Sequence, residues 1–141
     1  MYDPTSNPAT RRRTKGWLLD AKTREMLLER YPPTYPNVVA HHVTLSSGIA
    51  SGAGIPDHTR GKIVGRVDDS NGVEAMIVEI GGTTDRPGGG TYHITWSLDR
   101  GANREARESN DAIAQLGWRP ISEPLDIDLM PAFWEREVSG E

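Results

Sequence analysis

Two short stretches of this chain carry one pattern: His42-Val43-Thr44-Leu45-Ser46 recurs as His93-Ile94-Thr95-Trp96-Ser97, 51 positions further on. In an extended strand, residues two apart share a face. On that alternation His42, Thr44 and Ser46 are presented together while Val43 and Leu45 enter the core. The second copy presents His93, Thr95 and Ser97 and buries Ile94 and Trp96. An imidazole and a hydroxyl on each of two strands suit displacement at phosphorus without a metal. Such a displacement needs a base to take a proton from the nucleophile and an acid to protonate the leaving oxygen. Histidine, with an ordinary pKa of about 6.5, does either at neutral pH. The threonine hydroxyls can hold the non-bridging oxygens as charge develops on them. A single His-x-Thr reads as a hydrogen-bonded sheet histidine, but two copies in matching phase favour a site. Which histidine is acid and which is base is not assigned by the pattern.

Around the motifs lie weaker candidates. Arg86, Arg100, Arg104 and Arg107 flank the second copy. Singly they read as solvated loop charge, and together as contacts to further phosphates of an oligonucleotide. Tyr35, in the proline-rich approach to the first copy, is placed to stack on a base. Tyr92 alternates to the buried face, and Trp17 and Trp118 read as core. His41 alternates away from His42 and reads as structural, and His58 reads as an exposed loop residue. Adjacent strand histidines point apart and no helical histidine spacing exists, so no metal is expected, and no other cofactor. The glycine clusters at 48–54 and 88–90 lack the ending of a nucleotide-binding loop. They are expected to border the cleft and gate it.

The elements that must carry these residues follow from periodicity and turn chemistry. Residues 38–46, 62–67, 73–80 and 91–98 are expected as strands. Asp69-Ser70-Asn71-Gly72 joins the middle two as a hairpin. Asp20 is placed to cap a helix to about residue 30, which Pro32, Pro33 and Pro36 stop. Ser109 or Asn110 caps a second helix that ends at Gly117. Residues 125–130 are expected as a last strand, and Trp17-Leu18-Leu19 as an apolar run that could open a sheet. Residues 1–14, with the Arg11-Arg12-Arg13 run, read as a flexible basic arm, 15–132 as one domain, and 133–141 as a loose acidic tail. The class is α+β, an antiparallel sheet with two helices against it.

Bulk composition sets the outer limits. A chain of 141 residues suits one compact domain. The absence of cysteine removes disulfides, thiolate nucleophiles and cysteine-bound metals together. A net charge of −4 argues against coating duplex nucleic acid by charge alone, though not against a local basic groove. No stretch approaches the roughly 20 apolar residues of a membrane span, and the basic run is followed by no apolar signal core. A soluble, cytoplasmic protein without membrane contact is the expectation.

The paired strand-borne motifs resemble the signature of the two-histidine phosphoesterase superfamily, whose members include RNA 2′,3′-cyclic phosphodiesterases and nucleases of cyclic oligonucleotides. The resemblance spans residues 17–129, and only the two motifs are specific. It implies a small bilobal fold with a pseudo-twofold axis. It makes His42 and His93 the acid–base pair, and Thr44 and Thr95 the phosphate ligands. The short interval between motifs implies that the lobe formed by residues 48–90 is reduced. The expected activity is a metal-independent phosphodiesterase acting on a nucleotide, a cyclic oligonucleotide or an RNA end, at a 2′,3′-cyclic phosphate or a linkage beside a 2′-hydroxyl. The rival expectation is a module that binds the same ligands in the same cleft without turning them over.

Overall fold

The computed structural model describes residues 11–47 and 57–137. The chain runs β1 (Arg11–Leu18), α1 (Ala21–Arg30), β2 (Asn37–Val38), β3 (His42–Ser47), β4 (Arg60–Asp68), β5 (Val73–Glu79), β6 (His93–Leu98), a 3₁₀ turn (Arg100–Ala102), α2 (Glu108–Leu116), β7 (Arg119–Asp128) and β8 (Met130–Glu137). The α+β class holds: two helices accompany two antiparallel sheets, one ordered β3-β1-β8 and the other β2-β6-β5-β4-β7.

Local chemistry accounts for the helices and the hairpin. The Asp20 carboxylate accepts from the Thr23 amide at 2.7 Å, capping α1. The helix closes at Tyr31, just before the paired prolines. Gly117, at φ 70°, ends α2. In the β4–β5 turn the Asp69 carboxylate accepts from Asn71 at 2.8 Å and from Val73 at 3.0 Å. Gly72 there takes a φ of 103° that a side chain would oppose.

One core lies between the sheets. Trp17, Val43, Met76, Ile94 and Trp96 meet there with Leu27 of α1. A smaller core, of Val67, Ala75, Ile77, Ala112 and Ile113, packs α2 on the opposite face of the five-stranded sheet. Tyr92 is buried edge-on to Trp17, ring centroids 5.7 Å apart. Trp118 is half-buried, its ring lying over Gly65.

Three sequence expectations need correction. The single strand at 38–46 is two, because Ala40 turns to φ 44° and the chain changes sheets there. Alternating apolar residues look the same on both sides of such a switch. The expected arm and tail are in part a ladder: β1 pairs with β8 from Arg11↔Glu137 to Leu18↔Met130. Its partners are about as far apart in sequence as the chain allows, so no local signal announces them. The last strand is likewise longer than expected, as β7 and β8 together run from Arg119 to Glu137 with a break at Leu129. The remainder of the expected arm (1–10) and tail (138–141), and the glycine cluster at 48–54, lie outside the described residues.

Candidate active site

β6 is an inner strand, flanked by β5 on one side and β2 on the other. Beyond β2 the chain stays on β6, since the Val39 and Ala40 amides donate to the carbonyls of Trp96 and Thr95, each at 2.9 Å. Projecting that antiparallel register two residues on sets His42 level with His93. There β3 leaves to pair with β1, so the two motifs stand side by side at the seam between the sheets.

Each motif strand has a bulge at the same place. Against β1, Thr44 pairs with Gly16 and Ser46 with Lys15, which leaves Leu45 as the extra residue. Against β5, Thr95 pairs with Ala75 and Ser97 with Glu74, which leaves Trp96 as the extra residue. Consecutive residues of a partner strand face opposite ways, so each bulge separates the serine from its threonine. Strict alternation had predicted His, Thr and Ser on one face. In the second motif only His93 and Thr95 keep that face, whereas in the first Ser46 still lines the same cleft as His42 and Thr44.

The four motif side chains His42, Thr44, His93 and Thr95 line one cleft of about 360 Å³, together with Leu45, Ser46, Arg86, Gly88, Gly89, Ala106, Arg107 and Asn110. The second glycine cluster therefore does border the cleft. His93 is buried, and its Nδ1 lies 2.8 Å from the Thr91 carbonyl. A carbonyl only accepts, so Nδ1 carries the proton and Nε2 keeps its lone pair. Burial pushes the His93 pKa below the ordinary value; the Thr91 bond opposes this and the Arg86 charge adds to it. His93 is thus a neutral imidazole with a basic Nε2. His42 is half-buried, with Nδ1 2.9 Å from His41 Nδ1 and its ring edge-on to Trp134 at 4.9 Å.

The hydroxyls and the arginine complete the lining. Thr95 Oγ1 lies 2.9 Å from Ser109 Oγ and 3.3 Å from the Ala106 carbonyl. To donate to a phosphate it must give up the longer contact. Ser46 Oγ is buried without a hydrogen-bond partner among the described residues. The Arg86 guanidinium donates to the Gly89 carbonyl at 3.0 Å, the Thr44 carbonyl at 3.5 Å and Asn110 Oδ1 at 3.2 Å. It fastens the β5–β6 loop to the first motif strand and to α2, and brings a fixed cation to the cleft. Among the described residues no three His, Asp or Glu side chains gather as a metal site.

Four expected substrate contacts lie away from the cleft, three of them with other partners. Ser97, turned by the bulge, donates to the buried Glu74 carboxylate at 2.7 Å and accepts from the Tyr35 amide at 3.1 Å. The Tyr35 hydroxyl donates to Asp68 at 2.5 Å, away from the cleft. Arg104 bridges Asp69 at 2.8 Å and Glu108 at 3.1 Å, tying the hairpin to α2. Arg100 is exposed on the 3₁₀ turn, outside the cleft lining. His41, expected to face away from His42 as a structural residue, is exposed and turns back onto it. It precedes the first residue of β3, so strand alternation does not govern it. Asn110 had no signal in the sequence, because only the packing of α2 brings it to the cleft.

Comparison with protein-family models, with curated proteins and with solved structures returns no match to this chain.

Proposed function

We propose that the chain is a metal-independent phosphodiesterase that places the scissile phosphate between His42 and His93. The observation that carries this reading is the joint lining of one cleft by both imidazoles, both threonines and a fastened arginine. One histidine takes a proton from water or from a neighbouring 2′-hydroxyl, and the other protonates the departing ribose oxygen. Thr44, whose hydroxyl makes no hydrogen bond among the described residues, Thr95 and Arg86 hold the non-bridging oxygens. The cleft suits a nucleotide-sized ligand: a 2′,3′-cyclic phosphate, an RNA end or part of a cyclic oligonucleotide.

The test is incubation of the full chain with 2′,3′-cyclic mononucleotides, 2′–5′ dinucleotides and cyclic dinucleotides in the presence of chelator, with products read by mass. Ring opening or linkage cleavage at undiminished rate in chelator is expected, and absence of product with every compound rejects the enzyme. One observation favours a second reading, a binding module: the Thr95 hydroxyl is already satisfied by Ser109 and Ala106. Saturable binding across that panel without product would select it.

A further inference from the structure

The two motif histidines are held at the same ring atom by different partners. His93 Nδ1 meets the carbonyl two residues upstream, that of Thr91, at 2.8 Å. The equivalent carbonyl for His42 is that of Ala40, and there the Arg24 guanidinium of α1 donates to it at 2.9 Å, and to the Val39 carbonyl at 3.3 Å. Ala40 stands at the left-handed turn where the chain changes sheets. What meets His42 Nδ1 is instead His41 Nδ1, at 2.9 Å. Of two imidazole nitrogens in contact, one must donate and the other accept, so the pair holds one proton between them.

We propose that His41 is a positioning residue that holds His42 in the form of a general acid, leaving His93 as the base. The words acid and base rest on the phosphodiesterase reading; the one-proton pair does not. With His42 Nδ1–H directed at the lone pair of a neutral His41, the proton His42 can release is on Nε2. In the reaction, the nucleophile's proton passes to His93 Nε2 and the His42 Nε2 proton passes to the leaving oxygen. The phosphorus–oxygen bond to the leaving group breaks as the bond to the nucleophile forms. Afterwards His42 is neutral with Nδ1–H retained, so its bond to His41 survives the step. The Thr91 carbonyl fixes the His93 tautomer whatever the pH, whereas His41 can accept only while neutral. Among the described residues, the titratable or charged groups sharing the cleft with His42 are His93 on β6, Arg86 on the β5–β6 loop and Arg107 beside α2. The Trp134 ring of β8 meets His42 edge-on, and β1 pairs Leu18 against it.

Ring ¹⁵N NMR of the full chain tests the pair without substrate, using His41→Ala, with His42→Ala and His93→Ala for assignment. A protonated, hydrogen-bonded Nδ1 on His42 is expected in the parent. In His41→Ala its titration midpoint falls, because the charged ring loses an acceptor, while His93 is unmoved. Unchanged His42 shifts and midpoint in His41→Ala overturn the proposal. A second arm follows hydrolysis of 2′,3′-cyclic AMP. His41→Ala is expected to lower kcat about 10- to 100-fold with KM kept, as loss of an orienting partner does. The alkaline limb of the rate profile moves to lower pH, and His41→Asn, whose amide oxygen can accept, recovers part of both. A kcat and profile untouched by His41→Ala also overturn it. If the parent does not turn over the compound, the phosphodiesterase reading loses support while the NMR result still decides the pair.

Discussion

His93 and His42 differ less in residue type than in surroundings, and those surroundings set what each can do. His93 is buried, and its charged form is disfavoured by that burial, with Arg86 adding to the effect. The acidic limb of kcat/KM is therefore expected below the ordinary imidazole value of 6.5. Replacing Arg86 with Gln removes the smaller of the two lowering influences, so that limb moves up only slightly. The larger effect of Arg86→Gln is on binding, with KM raised about tenfold as a charge-assisted phosphate contact is lost. His42→Ala and His93→Ala are each expected to lower kcat by about 10²- to 10⁴-fold while the circular-dichroism spectrum is kept. Undiminished turnover in either variant removes that histidine from the chemistry.

At the scale of elements, the site depends on two bulged strands and on the glycine that permits one of them. A Cβ on Gly16 would stand 2.1 Å from the Val43 carbonyl, inside the first motif. Gly16→Ala must push β3 away, at an expected cost of about 2–3 kcal/mol in denaturant unfolding. Gly65 offers a matched control, since its Cβ would meet the Trp118 ring at 2.1 Å, away from the cleft lining. Gly65→Ala should cost comparable stability yet leave kcat near the parent value under conditions where both variants are folded. Equal loss of kcat in the two would mean that activity follows global stability rather than the placement of His42 and Thr44.

For the whole molecule, the buried Glu74 carboxylate joins segments that are distant in sequence. It accepts from Ser97 on β6, from the Thr34 amide and hydroxyl at 2.9 Å each, and from Arg66 on β4. Burial, the largest influence on its pKa, raises it. The bonds from Ser97, Thr34 and Arg66 more than offset this and hold the carboxyl below its ordinary value of 4.5. A depressed carboxyl contributes stability that is fully present above the unfolded value and lost as pH falls through the folded one. His93 acts in the same direction from higher pH, because below 6.5 the unfolded chain takes up a proton that the folded chain resists. The melting temperature is therefore expected to decline on acidification from about pH 6.5, and more steeply below 4.5. Glu74→Gln should cost about 2–4 kcal/mol at neutral pH, since it strips Arg66 of its partner, and should flatten the acid branch. A Glu74→Gln curve parallel to the parent's would show that this carboxyl does not govern acid unfolding.

Both motifs, the β-structure beneath them, the Asp20 cap of α1, the Gly117 end of α2 and the Asn-Gly hairpin were legible in the sequence. Each of these is written in residues a few positions apart, through side-chain period, cap chemistry or turn propensity. The start of α2 was not: it begins after Arg107 without a side-chain cap and holds Ser109 and Asn110, the expected caps, inside it. Tertiary structure alone decided that Ser97 would serve Glu74, that His41 would turn back onto His42, and that β1 and β8 would pair end to end. It also decided that Asn110 and the loop carrying Arg86 would close one side of the cleft. A bulge is a property of two strands in register, and the partner of an edge strand can lie anywhere in the chain. Neither is encoded within the window that sets the strand itself.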